Sequence, residues 1–114
     1  MIRILDIYDK LGWKQAKGYP RGTRIITLRD DGNAKTILLK LPKGFHMESH
    51  SHITTEQHLI IRGKYESEGK VYSSGTYRLI PGGVDHGPFE SKTGAVILVI
   101  WDPIKTKGKL KRNL

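Results

Sequence analysis

The chain has 114 residues, no cysteine and a formal net charge of +9. This length suits one domain with its own core, and without cysteine any metal ligand must be a nitrogen or oxygen donor. No apolar run reaches the roughly 18 residues of a membrane span, and the N-terminal stretch lacks the apolar core of a secretory signal, so we expect a cytoplasmic protein without a membrane segment.

The positive charge is concentrated in residues 105–114. This segment holds five basic side chains and no acid, which leaves 9 − 5 = +4 for the remainder. We expect a barrel domain with an N-terminal strand segment over residues 1–104, followed by a basic tail. The tail is either solvated or a lysine-protected sheet edge, and a phosphate-binding arm is the alternative. The few amide residues and abundant lysines are typical of thermophile proteins.

Helical periodicity is nearly absent, and residues 3–10 predict at most a turn or a short strand. Short β-rich runs follow in chain order: TRIITL (23–28), KTILLKL (35–41), QHLIIRG (57–63), KYESEGKVYSSG (64–75), TYRLIP (76–81) and AVILVIW (95–101). Asp31-Gly32 and Glu68-Gly69 predict turns between strands, because glycine readily adopts positive φ. Seven or eight such strands predict an all-β, antiparallel sandwich or barrel.

Alternating residues in two of these runs are predicted to fill the interior. A small barrel packs its inside with such apolar side chains. The predicted core residues are Ile37, Leu39, Leu41, Ile97, Val99 and Trp101.

The segment HSHITTE (50–56) concentrates side chains that can bind metals. Residues two apart on a strand share a face, so His50 and His52 project together if the segment is extended. Glu56 can face back after a turn at residues 53–55. His86 reaches the same point only if the strands near 57–61 and 76–80 are neighbours. The residues alone leave a solvated face open as the alternative to a metal site.

Two blocks have fixed spacings that match the signature motifs of the cupin superfamily. The blocks are Gly44, five residues, His50-x-His52, three residues, Glu56, six residues and Gly63; then Gly75, five residues, Pro81-x-Gly83, two residues and His86. The chain therefore resembles a small single-domain metal-binding cupin, similar to the ChrR-like group. It departs from the second motif at its last position, where Glu90 replaces the usual Asn, which is not a ligand.

The resemblance implies a jelly-roll barrel of six to eight strands around one divalent metal ion. By position in the motifs, the ligands would be His50, His52, Glu56 and His86. Such cupins hold Fe, Mn, Zn, Ni or Cu, and nitrogen and oxygen donors suit all five.

Two further residues are candidates for a catalytic role. His58 lies two residues beyond Glu56, so it either acts as a general acid/base, with an ordinary pKa of about 6.5, or holds Glu56 in place. Tyr77 either donates a hydrogen bond to a bound oxygen or is a packed aromatic.

We expect a metal-dependent enzyme of the oxygenase (dioxygenase-like), isomerase or lyase type that acts on a small polar molecule. The alternative is a non-enzymatic metal or small-ligand sensor related to anti-sigma-factor cupins. Nucleic acid is disfavoured as a partner. The aromatics that could stack on bases are Tyr65, Tyr72 and Tyr77, and two of the five residues in the intervening ESEGK (66–70) are acidic. Family likeness implies a homodimer that pairs through N-terminal strands.

Overall fold

A computed structural model describes residues 2–9 and 12–104, and these form nine β-strands. The strands are β1 (Lys14–Gln15), β2 (Arg24–Asp30), β3 (Lys35–Leu41), β4 (Phe45–Met47), β5 (Glu56–Ser67), β6 (Lys70–Ser73), β7 (Tyr77–Ile80), β8 (Phe89–Ser91) and β9 (Ala95–Trp101). Over the same residues no helix has the length and apolar character needed to cross a bilayer.

All pairings between these strands are antiparallel. The order is β1-β2-β3-β9-β5-β8-β4, with β6 and β7 also pairing with β5. Strand β5 connects the two sides of the curled sheet. Its first part pairs with β9 and β7, and its last residues pair with β6 and β8. The predicted all-β jelly-roll barrel is confirmed.

A β-bulge in β5 marks the point where the strand passes from one side to the other. The register against β9 shifts between Ile60 and Arg62. Gly63 follows with φ +74°, and a Cβ there would lie 2.2 Å from the carbonyl oxygen of Gly94. Only glycine fits this close approach without strain. The runs 57–63 and 64–75 do not form two strands that divide at Gly63. Strand β5 continues through Gly63 to Ser67, and the turn follows.

The six predicted core residues are all buried. They form one cluster with six further side chains: Phe45, Met47, Ile60, Tyr65, Phe89 and Ala95. Successive inward residues of β3 and β9 supply the apolar half of this interior, as the period-2 pattern predicts.

The predicted turns are also present. Gly32 has φ +85° between β2 and β3, while Glu68 and Gly69 have φ +50° and +77° between β5 and β6. Nine strands rather than seven or eight occur because β1, β4 and β8 have only two or three residues, too few for a recognisable pattern. Residues 2–9 contain a turn and no strand. The tail at 105–114 lies outside the described residues.

Candidate metal centre

Two loops and the start of β5 bring the motif residues together. His50 and His86 form an antiparallel bridge, in which the amide of His50 donates to the carbonyl of His86 (3.0 Å) and the amide of His86 donates back (2.9 Å). The amide of Gly83 donates to the carbonyl of His52 at 2.8 Å. The predicted neighbours pair as required, with Glu56 opposite Ile80.

The three histidine rings converge on one point. One ring nitrogen from each of His50, His52 and His86 lies within 4.8 Å of the others. The Nδ1 atoms of His50 and His86 each lie 3.1 Å from a backbone carbonyl, of Glu48 and Val84 respectively. A carbonyl only accepts, so each Nδ1 carries the proton and each Nε2 keeps its lone pair for a ligand.

Glu56 adjoins this cluster from the start of β5 and is fully buried. Its Oε1 contacts His52 Nε2, without hydrogen-bond geometry, and lies 3.6 Å from His86 Nε2. Its Oε2 lies 2.6 Å from His58 Nε2. Burial acts to raise the pKa of Glu56, but the three neighbouring imidazoles outweigh it and hold the pKa below its usual range. Glu56 is therefore a carboxylate, as a metal ligand must be.

Five buried side-chain atoms of these residues lack a hydrogen-bond partner among the described residues. One is His52 Nδ1, and the four that face one another are His50 Nε2, His52 Nε2, His86 Nε2 and Glu56 Oε1. Buried polar atoms in native proteins are almost always satisfied, so a group of four that face one another requires an explanation. A divalent cation accepts lone pairs from all of them at once. Three imidazole nitrogens and one carboxylate oxygen thus fit such an ion.

His58 is buried behind Glu56, and both of its ring nitrogens have partners. Nε2 faces Glu56, and Nδ1 lies 2.8 Å from the hydroxyl of Tyr65. Burial lowers the pKa of His58, although the Glu56 carboxylate opposes this shift. The ring therefore contacts Glu56 and Tyr65, and the choice between the two roles expected for His58 stays a prediction.

The contacts continue from Tyr65 towards the surface. Arg78 Nη1 donates to the Tyr65 hydroxyl at 3.1 Å, and Arg78 Nη2 lies 2.6 Å from Glu68 Oε1. The other oxygen of Glu68 accepts from the amide of Gly87 at 2.5 Å, next to His86. Burial raises the pKa of Tyr65 to about 12, so its hydroxyl keeps its proton.

Tyr77 does not join these residues. Its side chain is 55% exposed, and its hydroxyl donates to Gln57 Oε1 at 2.6 Å. Tyr77 is opposite Leu59 in the register, and directly opposed residues share a face of the sheet. The inner face opposite His58 is occupied by Arg78 instead. This position on the outer face gives no support to the catalytic role expected for Tyr77.

A cavity opens beside His50, the least buried of the three clustered histidines. Its lining includes Tyr19, His46 and Glu48. His46 lies 3.0 Å from Glu90 Oε1 and also contacts Glu48. Glu90, the position that departs from the motif, therefore pairs with a surface histidine and takes no part in the cluster. Of the three clustered histidines, only His50 lines this cavity.

Sequence reasoning missed Tyr65, Arg78 and Glu68. Counting by twos from Glu56 places Tyr65 on the outer face, but the bulge before Gly63 reverses the alternation and turns it inward. The Gly63 in an otherwise β-rich run was the available signal, because an isolated glycine in a strand often marks a bulge. Pairing β7 with β5 would have placed Arg78 opposite His58, and therefore on the inner face.

Comparisons with solved structures support the same fold. An RmlC-like cupin from Shewanella frigidimarina is 18% identical over 92% of this chain and 95% of its own, with a TM-score of 0.73. An acetylacetone dioxygenase from Acinetobacter johnsonii is 16% identical over 100% of this chain and 88% of its own, with a TM-score of 0.71.

A third structure is the Rhodobacter sphaeroides complex of SigE with the anti-sigma ChrR. It is 22% identical over 82% of this chain, with a TM-score of 0.67, and the match spans 49% of that chain. A search of curated proteins gave no match. The family described as the ChrR cupin-like domain matches residues 3–105, which is most of the sequence. This chain belongs to the ChrR cupin-like domain family.

Proposed function

We propose that the protein binds one divalent metal ion through His50, His52, Glu56 and His86, and acts as a small metal-dependent enzyme on a small polar molecule. The observation that carries the proposal is the set of four facing donor atoms that are buried without hydrogen-bond partners. The dioxygenase neighbour supports chemistry of this class on the same fold, although fold alone does not assign function.

In this proposal some of the chain's residues hold the ion, and others line the route by which the substrate enters. A divalent ion with three histidine ligands and one carboxylate supplies Lewis-acid chemistry, or electron transfer if it is Fe, Mn or Cu, while Zn and Ni also fit the donors. His52 and Glu56 are buried, whereas His50 borders the open cavity. We infer that substrate enters on the His50 side, where His46 and Glu48 supply polar groups.

His58 contributes indirectly in this proposal. Its side chain is fully buried and both nitrogens are occupied by Glu56 and Tyr65. A general acid or base must reach the proton it transfers, so this geometry favours a supporting role for His58 over direct proton exchange with substrate.

Elemental analysis of protein purified without chelator tests the metal proposal. We expect about one equivalent of metal in the wild type and its loss in the His50→Ala, His52→Ala double variant. His46→Ala is the matched control, because His46 lies at the surface outside the cluster. Equal metal content in all three proteins, or no metal even after reloading, would contradict the proposal.

A sensor function is the second candidate, and the family match to ChrR favours it. A sensor binds a metal or small ligand and changes its shape or partner without turnover. Oxygen uptake and product formation by the metal-loaded protein, screened against small diketones, keto acids and sugars, distinguish the two functions. Turnover that is lost in the double variant supports the enzyme. Binding without turnover, accompanied by a change in hydrogen exchange, supports the sensor.

We further propose that the protein is a homodimer. The outer face of the sheet carries an apolar row in which Leu98 on β9 is opposite Leu59, and Leu59 is opposite Tyr77. Leu59, Tyr77 and Leu79 are 38%, 55% and 59% exposed. Contiguous exposed apolar surface is typical of association sites. Light scattering that gives a monomer mass would refute this proposal, and Leu59→Lys should shift a dimer towards monomer.

A further inference from the structure

The contacts behind Glu56 form a continuous path of side chains. Glu56 Oε2 meets His58 Nε2 at 2.6 Å, His58 Nδ1 meets the Tyr65 hydroxyl at 2.8 Å, and Arg78 Nη1 meets the same hydroxyl at 3.1 Å. His58 and Tyr65 are buried, and the guanidinium is largely covered. His58, Tyr65 and Arg78 do not line the cavity beside His50.

The direction of every proton along this path follows from what each group can do. Arginine only donates, so the Tyr65 oxygen accepts from Arg78. Tyr65 therefore gives its one proton to His58 Nδ1, which must accept it. The proton of a neutral His58 then lies on Nε2 and is donated to the Glu56 carboxylate. Only this arrangement gives each hydrogen an acceptor along the path.

We propose that Tyr65 and Arg78 are positioning residues that, together with the acceptor-only carboxylate of Glu56, hold His58 in its Nε2–H tautomer and thereby orient Glu56 towards the histidine cluster. With Oε2 held by His58, the other oxygen of Glu56 is left facing His52 and His86. A His58 ring with its proton on Nδ1 would instead present a lone pair to the carboxylate and release it. Outer partners of this kind tune both the orientation and the affinity of a ligand.

The same path reaches a second member of the cluster. Arg78 is held by Glu68 at 2.6 Å, and Glu68 accepts from the amide of Gly87, the residue after His86. Arg78 also stacks over the ring of Tyr72, with 4.3 Å to its centroid. One arginine thus connects the support of Glu56 with the loop that carries His86.

The test starts with the metal-free protein, so it does not depend on the proposed metal site. Long-range ¹H–¹⁵N NMR of ¹⁵N-labelled protein reports which nitrogen of His58 carries the proton, with His58→Asn for assignment. We expect the Nε2–H form in the wild type and in Tyr72→Phe, the matched control that keeps Arg78 stacked on a ring. Tyr65→Phe, which removes only the hydroxyl, should raise the share of the Nδ1–H form above its wild-type value, because Glu56 alone then favours the proton on Nε2.

A proton on Nδ1 in the wild type, or an unchanged tautomer in Tyr65→Phe, would overturn the proposal. A thermal unfolding curve for each variant shows whether it is folded, and Arg78→Gln provides a second variant that should weaken the preference without altering the Tyr65 ring.

The consequence for ligand binding rests on the proposed function and is measured separately. In competition with a chromophoric chelator, we expect Tyr65→Phe to bind Zn²⁺ about 10- to 100-fold more weakly, and Tyr72→Phe to match the wild type. If the tautomer changes but the affinity does not, the orienting role is wrong. If no protein binds metal, the proposed function fails while the tautomer result still decides the proton assignment.

Discussion

Strands β5 and β9 are neighbours in the sheet, yet their inward faces have opposite character. Val99 on β9 is opposite His58 on β5, and Trp101 is opposite Glu56. The β9 residues pack in the apolar cluster, whereas the two β5 residues are buried and joined to each other by a hydrogen bond. On the apolar half of the interior, formed by β9, stability depends on the total volume and area that are buried. On the polar half, formed by Glu56 and His58 of β5, stability depends on a particular hydrogen-bond partner for each buried polar atom.

The strongest test of this difference replaces one buried polar side chain of the polar half with an apolar one. We expect His58→Leu to lower the free energy of unfolding by about 3–5 kcal/mol, because it leaves the buried Glu56 carboxylate without its donor. Urea unfolding of the metal-free protein measures the change. His46→Leu at the surface is the control and should change stability by less than about 1 kcal/mol. If His58→Leu left the free energy of unfolding unchanged or raised it, buried volume and area would account for the stability of both halves.

A truncation in the apolar half should be costly in a different way. Leu39→Ala removes a fully buried side chain opposite Ile97, so we expect a loss of about 2–5 kcal/mol from lost burial and the cavity it leaves. Val71→Ala on the exposed strand β6 is the comparison and should stay within about 0.5 kcal/mol. Metal stoichiometry should be unchanged in folded Leu39→Ala, and a selective loss of metal would contradict the division between the halves.

The bulge that separates the two parts of β5 can be tested with two glycines of similar φ. At Gly63 an added Cβ would meet backbone atoms of Gly94 and Ala95, whereas at Gly69 it would meet nothing within 4 Å. We expect Gly69→Ala to lose about 1 kcal/mol from its positive φ, and Gly63→Ala to lose more than about 2 kcal/mol. Equal losses in urea unfolding would mean that the close approach at Gly63 is unimportant.

The smallest expected effect concerns the acid stability supplied by Glu68. Burial acts to raise the pKa of Glu68, but hydrogen bonds from Ser67 and Gly87 and the charge of Arg78 outweigh it, so the folded pKa lies below its usual value. A lowered folded pKa gives stability that is present above the unfolded pKa and lost as pH falls through the folded one.

We therefore expect the stability difference between wild type and Glu68→Gln to shrink as the pH falls from 6 towards about 3. The difference should not exceed about 1 kcal/mol, because Glu68 is partly exposed and its charge is screened. Thermal unfolding across this pH range measures it, with Glu66→Gln near the end of β5 as the control. A difference that grows in acid would reverse the assigned direction of the pKa shift.

The features that the sequence predicted well are those with a regular period or a fixed local geometry. Alternation in β3 and β9 identified the core, and glycines identified the turns. The spacing of the two motifs also selected the four residues that the fold brings together, since His86 required β7 to lie beside β5 and it does.

The sequence could not supply the phase of the alternation beyond the bulge in β5, that is, which residues there face inward and which face outward. The bulge turned Tyr65 inward against the count from Glu56, and Tyr77 was placed outward only by its register against Leu59. Phase depends on hydrogen bonds between strands that are distant in the chain, and no local pattern fixes those. For the same reason Arg78 became a candidate only when its partner Tyr65 was seen.

The bulge also sets how β5 can change in length over evolution or design. Tyr65 lies nine residues after Glu56, so removing one residue between Ile60 and Gly63 would abolish the bulge and still leave Tyr65 and Ser67 on the inner face by strict alternation. Removing two residues would place both side chains on the outer face unless the strand formed a new bulge. The stretch should therefore tolerate the loss of one residue better than the loss of two.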